Sequence, residues 1–331
     1  MTIALSSRIA ALAKSELHVH LEGSIRPRIA CVLAQRRGVR LSEPEVRKRY
    51  DYANFMEFIE AFKWVTSFLR EPHDFGLVAA DLAEQLLRQN VVYAEVTLSV
   101  GVMLLRKQEP QANFEAILEA TEPFEQKGLR LNWIFDAVRQ FGPEPAMQVV
   151  EAAQRCRSPR IVAFGIGGDE LSTRTSKFRA VYLEAANCGL HRLIHAGEMG
   201  GPEKIREAID FLGVERVGHG IAAIHDAALM DLLADRRIAL EICPTSNLRT
   251  GALARQLRDD EAGLAQHPMA KLIRHGVPVV LSTDDPAMFH TTLGEEYHRA
   301  LEMGLTEKEL AEVVAQGFAY SFSASSSPLQ G

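Results

Sequence analysis

The stretch DFGLVAADLAEQLLRQNVVYAEVTL, residues 74–98, decides the fold. Its first part spaces Phe75, Val78, Leu82 and Leu86 at helical intervals, giving one apolar stripe on an otherwise polar cylinder. Its last part, VVYAEVTL, is almost continuous in apolar and β-branched residues, as a strand covered on both faces requires. A helix that feeds such a strand is half of a βαβ unit, and the alternation continues in both directions. Strand-like runs occur at ELHVH (16–20), LNWIFDAV (131–138), RIVAFG (160–165), HRLIH (191–195), RVGH (216–219), RIALEIC (237–243) and PVVLST (278–283). Helical patterning lies between them at 113–127, 176–188, 202–212 and 225–234, with Pro202 where a first-turn proline belongs. Eight strands alternating with helices predict an α/β fold of the (β/α)8 TIM barrel type. Residues 26–72 are expected to form a helical insertion after the first strand, patterned most clearly at 54–69, and 306–322 to form a closing helix. The polar end, SASSSPLQG at 323–331, is expected to be a flexible tail, and the whole of 1–331 one barrel domain.

The 331 residues carry 37 Lys+Arg against 43 Asp+Glu, a net charge of −6, with 47% hydrophobic and 24% charged residues. That balance excludes disorder, collagen and coiled coil, and a scattered, slightly acidic charge set offers no footprint for nucleic acid. The N-terminal 14 residues are too short and too interrupted for a signal sequence or a membrane span, so no membrane partner is expected. Cys31, Cys156, Cys188 and Cys243 lie far apart with no C-x-x-C pair, which reads as reduced thiols in a cytoplasmic protein. A homodimer is compatible with the chain but nothing in the sequence specifies it.

A barrel places its chemistry at the carboxyl ends of its strands. The first strand ends in His18-Val19-His20, and the side-chain period of two turns both imidazoles to one side. The fifth strand ends in His195, the sixth in His219, and the eighth runs into Asp284-Asp285. Imidazoles and a carboxylate converging on one rim suit a catalytic Zn2+ with a water in the open position. Glu198, three residues past His195, places a carboxyl over the same mouth, where it can move a proton between that water and a substrate nitrogen. Adjacent aspartates at a strand end can divide the work, one on the metal and the other on substrate. Gly167-Gly168-Asp169-Glu170 follows the fourth strand, and its glycines permit close backbone approach to a flat ligand.

Six motifs in this order, ELHVHLEGSI (16–25), GGDE (167–170), HAGE (195–198), GHG (218–220), CPTSN (243–247) and STDDP (282–286), closely resemble the adenosine deaminase family of the amidohydrolase superfamily over about residues 10–320. The resemblance implies one zinc per chain held by His18, His20, His195 and Asp284. It implies that Glu198 protonates N1 of a purine, that His219 orients the hydroxide nucleophile, that Asp285 binds N7 and that the Gly168 N–H meets N3. The substrate would be a small purine nucleoside that loses ammonia from C6. Glu22 stands where adenosine deaminases carry an aspartate that holds a ribose hydroxyl, and adenine deaminases share this H-x-E-G while typically lacking GGDE. HLEG together with TLSVGV (97–102) and IFDAVRQFG (134–142) looks most like the branch acting on 6-aminodeoxyfutalosine in menaquinone synthesis. Arg139, Arg174 and Lys177 are candidate partners for the carboxylate of that larger substrate.

Rival readings make distinct demands. A two-metal amidohydrolase often uses a bridging carboxylated lysine after the fourth strand, and residues 165–171 contain none. A cytidine-deaminase-type site needs P-C-x-x-C, whereas Cys243-Pro244 runs in reverse order. A non-catalytic zinc-binding scaffold predicts loss of Glu198 or His219, and both are present.

Overall fold

The computed structural model describes residues 7–52 and 54–323. Eight strands, β1 (Lys14–His20), β2 (Val91–Leu98), β3 (Arg130–Val138), β4 (Ile161–Gly167), β5 (His191–Ala196), β6 (Arg216–His219), β7 (Ala239–Ile242) and β8 (Val279–Leu281), follow one another in sequential order, each parallel to the next. The seam between β8 and β1 is closed just past β8, where the Asp284 N–H donates to the His18 carbonyl at 2.9 Å and the His20 N–H donates to the Asp284 carbonyl at 2.8 Å. The result is the nearly closed parallel barrel expected, with helices between the strands. Every expected strand is present, and β2 and β6 span the residues that their hydrophobic runs delimit.

The helix before β2, Pro72–Arg88, buries Phe75, Val78, Leu82 and Leu86 as its spacing demands. Pro72 opens it, and the Asp74 carboxylate accepts from the Arg70 and Glu71 N–H groups, satisfying donors that a helix start leaves unpaired. The region 26–72 holds three helices, Pro27–Arg36, Glu43–Arg49 and Phe55–Thr66. The last is capped by Asn54, whose Oδ1 accepts from Glu57 N–H, and it carries Phe55, Phe58, Ile59 and Phe62 to the carboxyl rim. The chain end departs from the expected 306–322 helix. It stops at Ala319, and Phe322 turns in to cover the amino-terminal end of the barrel, stacked on His191 with ring centroids 4.1 Å apart. The tail expected at 323–331 lies, beyond Ser323, outside the described residues.

Inside the barrel, Arg216 is buried between two carboxylates, Glu95 at 2.5 Å and Glu241 at 2.6 Å, with its guanidinium 3.7 Å above the Phe322 ring. Glu241 then reaches His18 Nδ1 at 2.6 Å, so a chain of charges runs from the floor of the barrel to its rim. Arg216→Met strands two buried carboxylates, and removing one partner of a buried ionic pair costs about 3–5 kcal/mol. We therefore expect a urea midpoint well below that of the parent protein; an unchanged midpoint would show that the carboxylates find other partners. Among the described residues, no helix is long and apolar enough to cross a membrane.

Candidate active site

The strand ends bring His18, His20, His195, His219 and Asp284 together. Ligand atoms of His18, His195, His219 and Asp284 all lie within 4.8 Å of one another. His20 Nε2 sits 3.3 Å from His195 Nε2 and 3.3 Å from Asp284 Oδ1, so the second histidine of H-x-H faces the same point. Asp284 is stitched by its backbone between His18 and His20, which explains why a residue more than 260 positions away arrives in register with them. Asp284 and His219 both adopt left-handed backbone conformations, φ +67° and +60°, a strain that concentrates at working sites.

The cluster is built for a cation. His18 Nε2 is buried with no protein partner, because Glu241 holds the opposite ring nitrogen and leaves Nε2 facing Asp284 Oδ1 at 3.6 Å. Burial pushes His20 down to about 4 and His195 well below the ordinary histidine value, so both are neutral imidazoles with lone pairs to offer. Burial would depress His18 as well, but hydrogen bonds and charges from Asp284 and Glu241 outweigh it and lift the imidazole to about 10. Positive charge is therefore favourable at this point, and the donor set of imidazole nitrogen and carboxylate oxygen suits zinc.

Glu198 stands beside the cluster, its Oε2 3.7 Å from His219 Nε2. The loop that carries it is held by one side chain: the Glu170 carboxylate accepts from the N–H groups of Gly197 (2.5 Å), Glu198 (3.2 Å), Met199 (2.9 Å) and Gly200 (2.8 Å). From the other side, Gln256 Nε2 donates to the carbonyls of Glu198 and Gly200 at 2.7 Å each. Burial, reinforced by the negative charges of Asp284 and Glu170, raises Glu198 to about 8, so its carboxyl carries a proton at neutral pH. Asp285 is also buried; burial and then the Asp284 charge raise it well above the usual range, and its Oδ1 has no partner. Gly23 makes room for it, since a Cβ there would fall 1.7 Å from Asp285 Oδ1.

A cavity of about 400 Å³ opens over these groups, lined by His20, His195, Glu198, His219, Asp284 and Asp285, by Gly168 and Asp136, and by the aromatic face of Phe55–Thr66 with Lys63. Of the residues expected to bind the metal or the purine nucleoside core, Glu22 and His18 stand behind this wall. Glu22 Oε1 accepts from the N–H of Ser99, which does line the cavity, while burial raises its carboxyl to about 7. The cations expected to face a substituent lie elsewhere: Arg139 is buried and donates to the His195 carbonyl at 2.7 Å, and Arg174 and Lys177 are exposed and off the cavity. The cations on the cavity wall are Lys63 and Arg106; Arg106 is committed to the Thr66 carbonyl at 2.6 Å, and Lys63 Nζ donates to the exposed Glu60 carboxylate at 2.8 Å. Glu170, Asp136 and Lys63 went unnoticed in the sequence. The glutamate of GGDE and the lone aspartate within LNWIFDAV were the available signals for two of them.

A parallel barrel that gathers imidazoles and carboxylates at its carboxyl rim has the donor set of a metal-binding barrel. The adenosine deaminase family model matches residues 13–328. The chain is 37% identical over 325 residues, 96% of its length and 82% of the relative's, to the aminodeoxyfutalosine deaminase of Streptomyces coelicolor. It is 34% identical over 316 residues to the adenine deaminase of the same organism, covering 94% of this chain and 90% of that one. The solved adenine deaminase of Arthrobacter aurescens superposes with a TM-score of 0.87 at 26% identity, covering 95% of each chain. The chain belongs to the adenosine deaminase family. It is accordingly a deaminase, a hydrolase acting on C–N bonds of a purine, and the enzymes of its family are metal-dependent.

Proposed function

We propose that this protein deaminates the 6-amino group of a purine nucleoside enlarged on its sugar, with 6-aminodeoxyfutalosine of menaquinone synthesis as the favoured substrate. The observation that carries this reading is the apolar wall of Phe55, Phe58, Ile59 and Phe62 with Lys63, facing the same cavity as Glu198 and Asp284. An acyl substituent on the sugar would extend over that wall, and its carboxylate would compete with the exposed Glu60 for Lys63. The similarity to aminodeoxyfutalosine deaminase supports the same reading.

His18, His20, His195 and Asp284 would hold one Zn2+, which when bound supplies the Lewis acidity that makes a water nucleophilic at neutral pH. The protein's own groups do the rest. Protonated Glu198 donates to N1, which drains electron density from C6. Asp285, whose carboxyl is pushed well above the usual range by burial and the Asp284 charge, would bind N7. The Gly168 N–H meets N3, and Glu22 shapes the sugar side through its hold on Ser99. His219 orients the incoming oxygen. Water adds across the N1=C6 bond, its oxygen to C6 and, by way of Glu198, a proton to N1; the exocyclic C6–N bond then breaks as the hydroxyl proton passes to the amino group, giving ammonia and a 6-oxo purine.

Because Glu198 works as an acid, kcat/KM falls as pH rises through its raised pKa of about 8, and a bound cation draws that limb to lower pH. A pH profile checks this; a rate still rising through pH 9 would remove Glu198 from the acid role. The substrate assignment is tested by kcat/KM for ammonia release from 6-aminodeoxyfutalosine, adenosine and adenine side by side. Preference for the first supports the enlarged pocket. Preference for adenosine would mean that the apolar wall faces solvent, and preference for adenine that the sugar side is closed.

A further inference from the structure

His219 can play two incompatible parts. With an Nε2 lone pair it is a further metal ligand, since it belongs to the group within 4.8 Å; with an Nε2 proton it is a hydrogen-bond donor to the reaction. The hydrogen bonds behind it decide between them, starting from a group that cannot reverse.

The Met269 backbone N–H can only donate, and it donates to His267 Nδ1 at 3.2 Å. His267 is buried, and burial holds it down at about 3, so it is neutral and its one proton must sit on Nε2. That Nε2 lies 3.2 Å from Asn247 Oδ1, which accepts it. The amide of Asn247 is thereby turned with Nδ2 toward His219 Nδ1, 3.1 Å away, and an amide NH2 can only donate. His219 Nδ1 must therefore be the unprotonated nitrogen. All three side chains are at most 3% exposed, so no solvent competes for these bonds.

We infer that Asn247 and His267 are positioning residues that fix His219 as the Nε2–H tautomer, so that it meets the reaction as a donor and leaves metal ligation to His18, His20, His195 and Asp284. The inference deepens the proposed role of His219 and rests on that reading for its consequence in turnover, while the tautomer itself stands on the hydrogen bonds alone. Glu241 makes the opposite choice one strand away. Its carboxylate at His18 Nδ1 can only accept, which keeps a proton there and leaves Nε2 as the nitrogen turned to the site, where a cation would take the place of the second proton. One histidine is set to bind and the other to donate by the chemistry of a single neighbour each.

The test is a long-range ¹H–¹⁵N correlation spectrum of the histidine rings in the metal-loaded protein, with His219 assigned by comparison with His219→Gln. The expected result is an unprotonated Nδ1 and a protonated Nε2. Asn247→Asp replaces the donor by an acceptor of the same shape and should move a proton onto Nδ1, with kcat lowered about 100-fold and KM within about threefold. His267→Leu frees the Asn247 amide to rotate and should lower kcat in the same direction, whereas His267→Gln, which returns a donor near the Nε2 position, should recover most of the loss. A wild-type His219 with Nδ1 protonated overturns the inference, as does an Asn247→Asp variant with unchanged ring protonation. A correct tautomer in a protein that releases no ammonia from any purine would uphold the relay and refute the deaminase assignment instead.

Discussion

Glu198→Gln lowers kcat by about 10²–10⁴-fold with little change in KM or metal content, the range that positioned acid–base groups contribute. The glutamine keeps the shape and can still accept from the Thr250 hydroxyl, which lies 3.4 Å from Glu198 Oε1, but it has no acidic proton to place on N1. The loop does not collapse, because it is held by Glu170 and Gln256 through backbone groups that the substitution leaves alone. The variant also loses the basic limb of the pH profile, since the group that generated it is gone. Steady-state kinetics and metal analysis check both halves. A variant within threefold of the parent rate would mean that the proton reaches N1 by another route, and a variant without metal would make Glu198 part of the metal site.

The second large effect is expected at His18. His18→Ala removes an imidazole whose Nε2 faces the cluster and whose Nδ1 is pinned by Glu241, so the loss reaches the metal and the charge chain below it. We expect the purified protein to contain a small fraction of the metal of the parent, and turnover to fall with it, because the neighbouring imidazole of His219, whose Nδ1 accepts from Asn247, turns an Nε2 proton rather than a lone pair to the cluster. Elemental analysis beside activity decides it. Full metal content in His18→Ala would strike it from the ligand set and promote His219 in its place.

The barrel was legible because parallel strands buried on both faces betray themselves by composition alone, as VVYAEVTL does, and because the intervening helices are amphipathic. Strand ends then pointed to the site: His18, His20, His195, His219 and Asp284 converge as their positions on separate strands imply. What the sequence could not convey is which neighbours these groups would meet. Glu170 reads as the end of a turn, yet its carboxylate gathers four N–H groups of a loop 27 to 30 residues later in the chain. Arg139 looks available for a substrate carboxylate, yet it is spent on the His195 carbonyl. Glu22 stands, by resemblance, where a sugar ligand is expected, and the sequence gives no sign that its Oε1 accepts the Ser99 N–H behind the cavity wall. In each case a charged side chain found a backbone partner, and backbone partners leave no mark in the sequence. His267 escaped for the same reason, since nothing in the run around it signals that it is paired with Asn247.

The most direct test is to incubate the zinc-loaded protein with 6-aminodeoxyfutalosine in ¹⁸O-labelled water and to measure ammonia and product together. The account predicts one ammonia for each 6-oxo product, with a single ¹⁸O at C6 and the sugar still attached. Release of free base, or no ammonia from this substrate under conditions where the metal is bound, would contradict it.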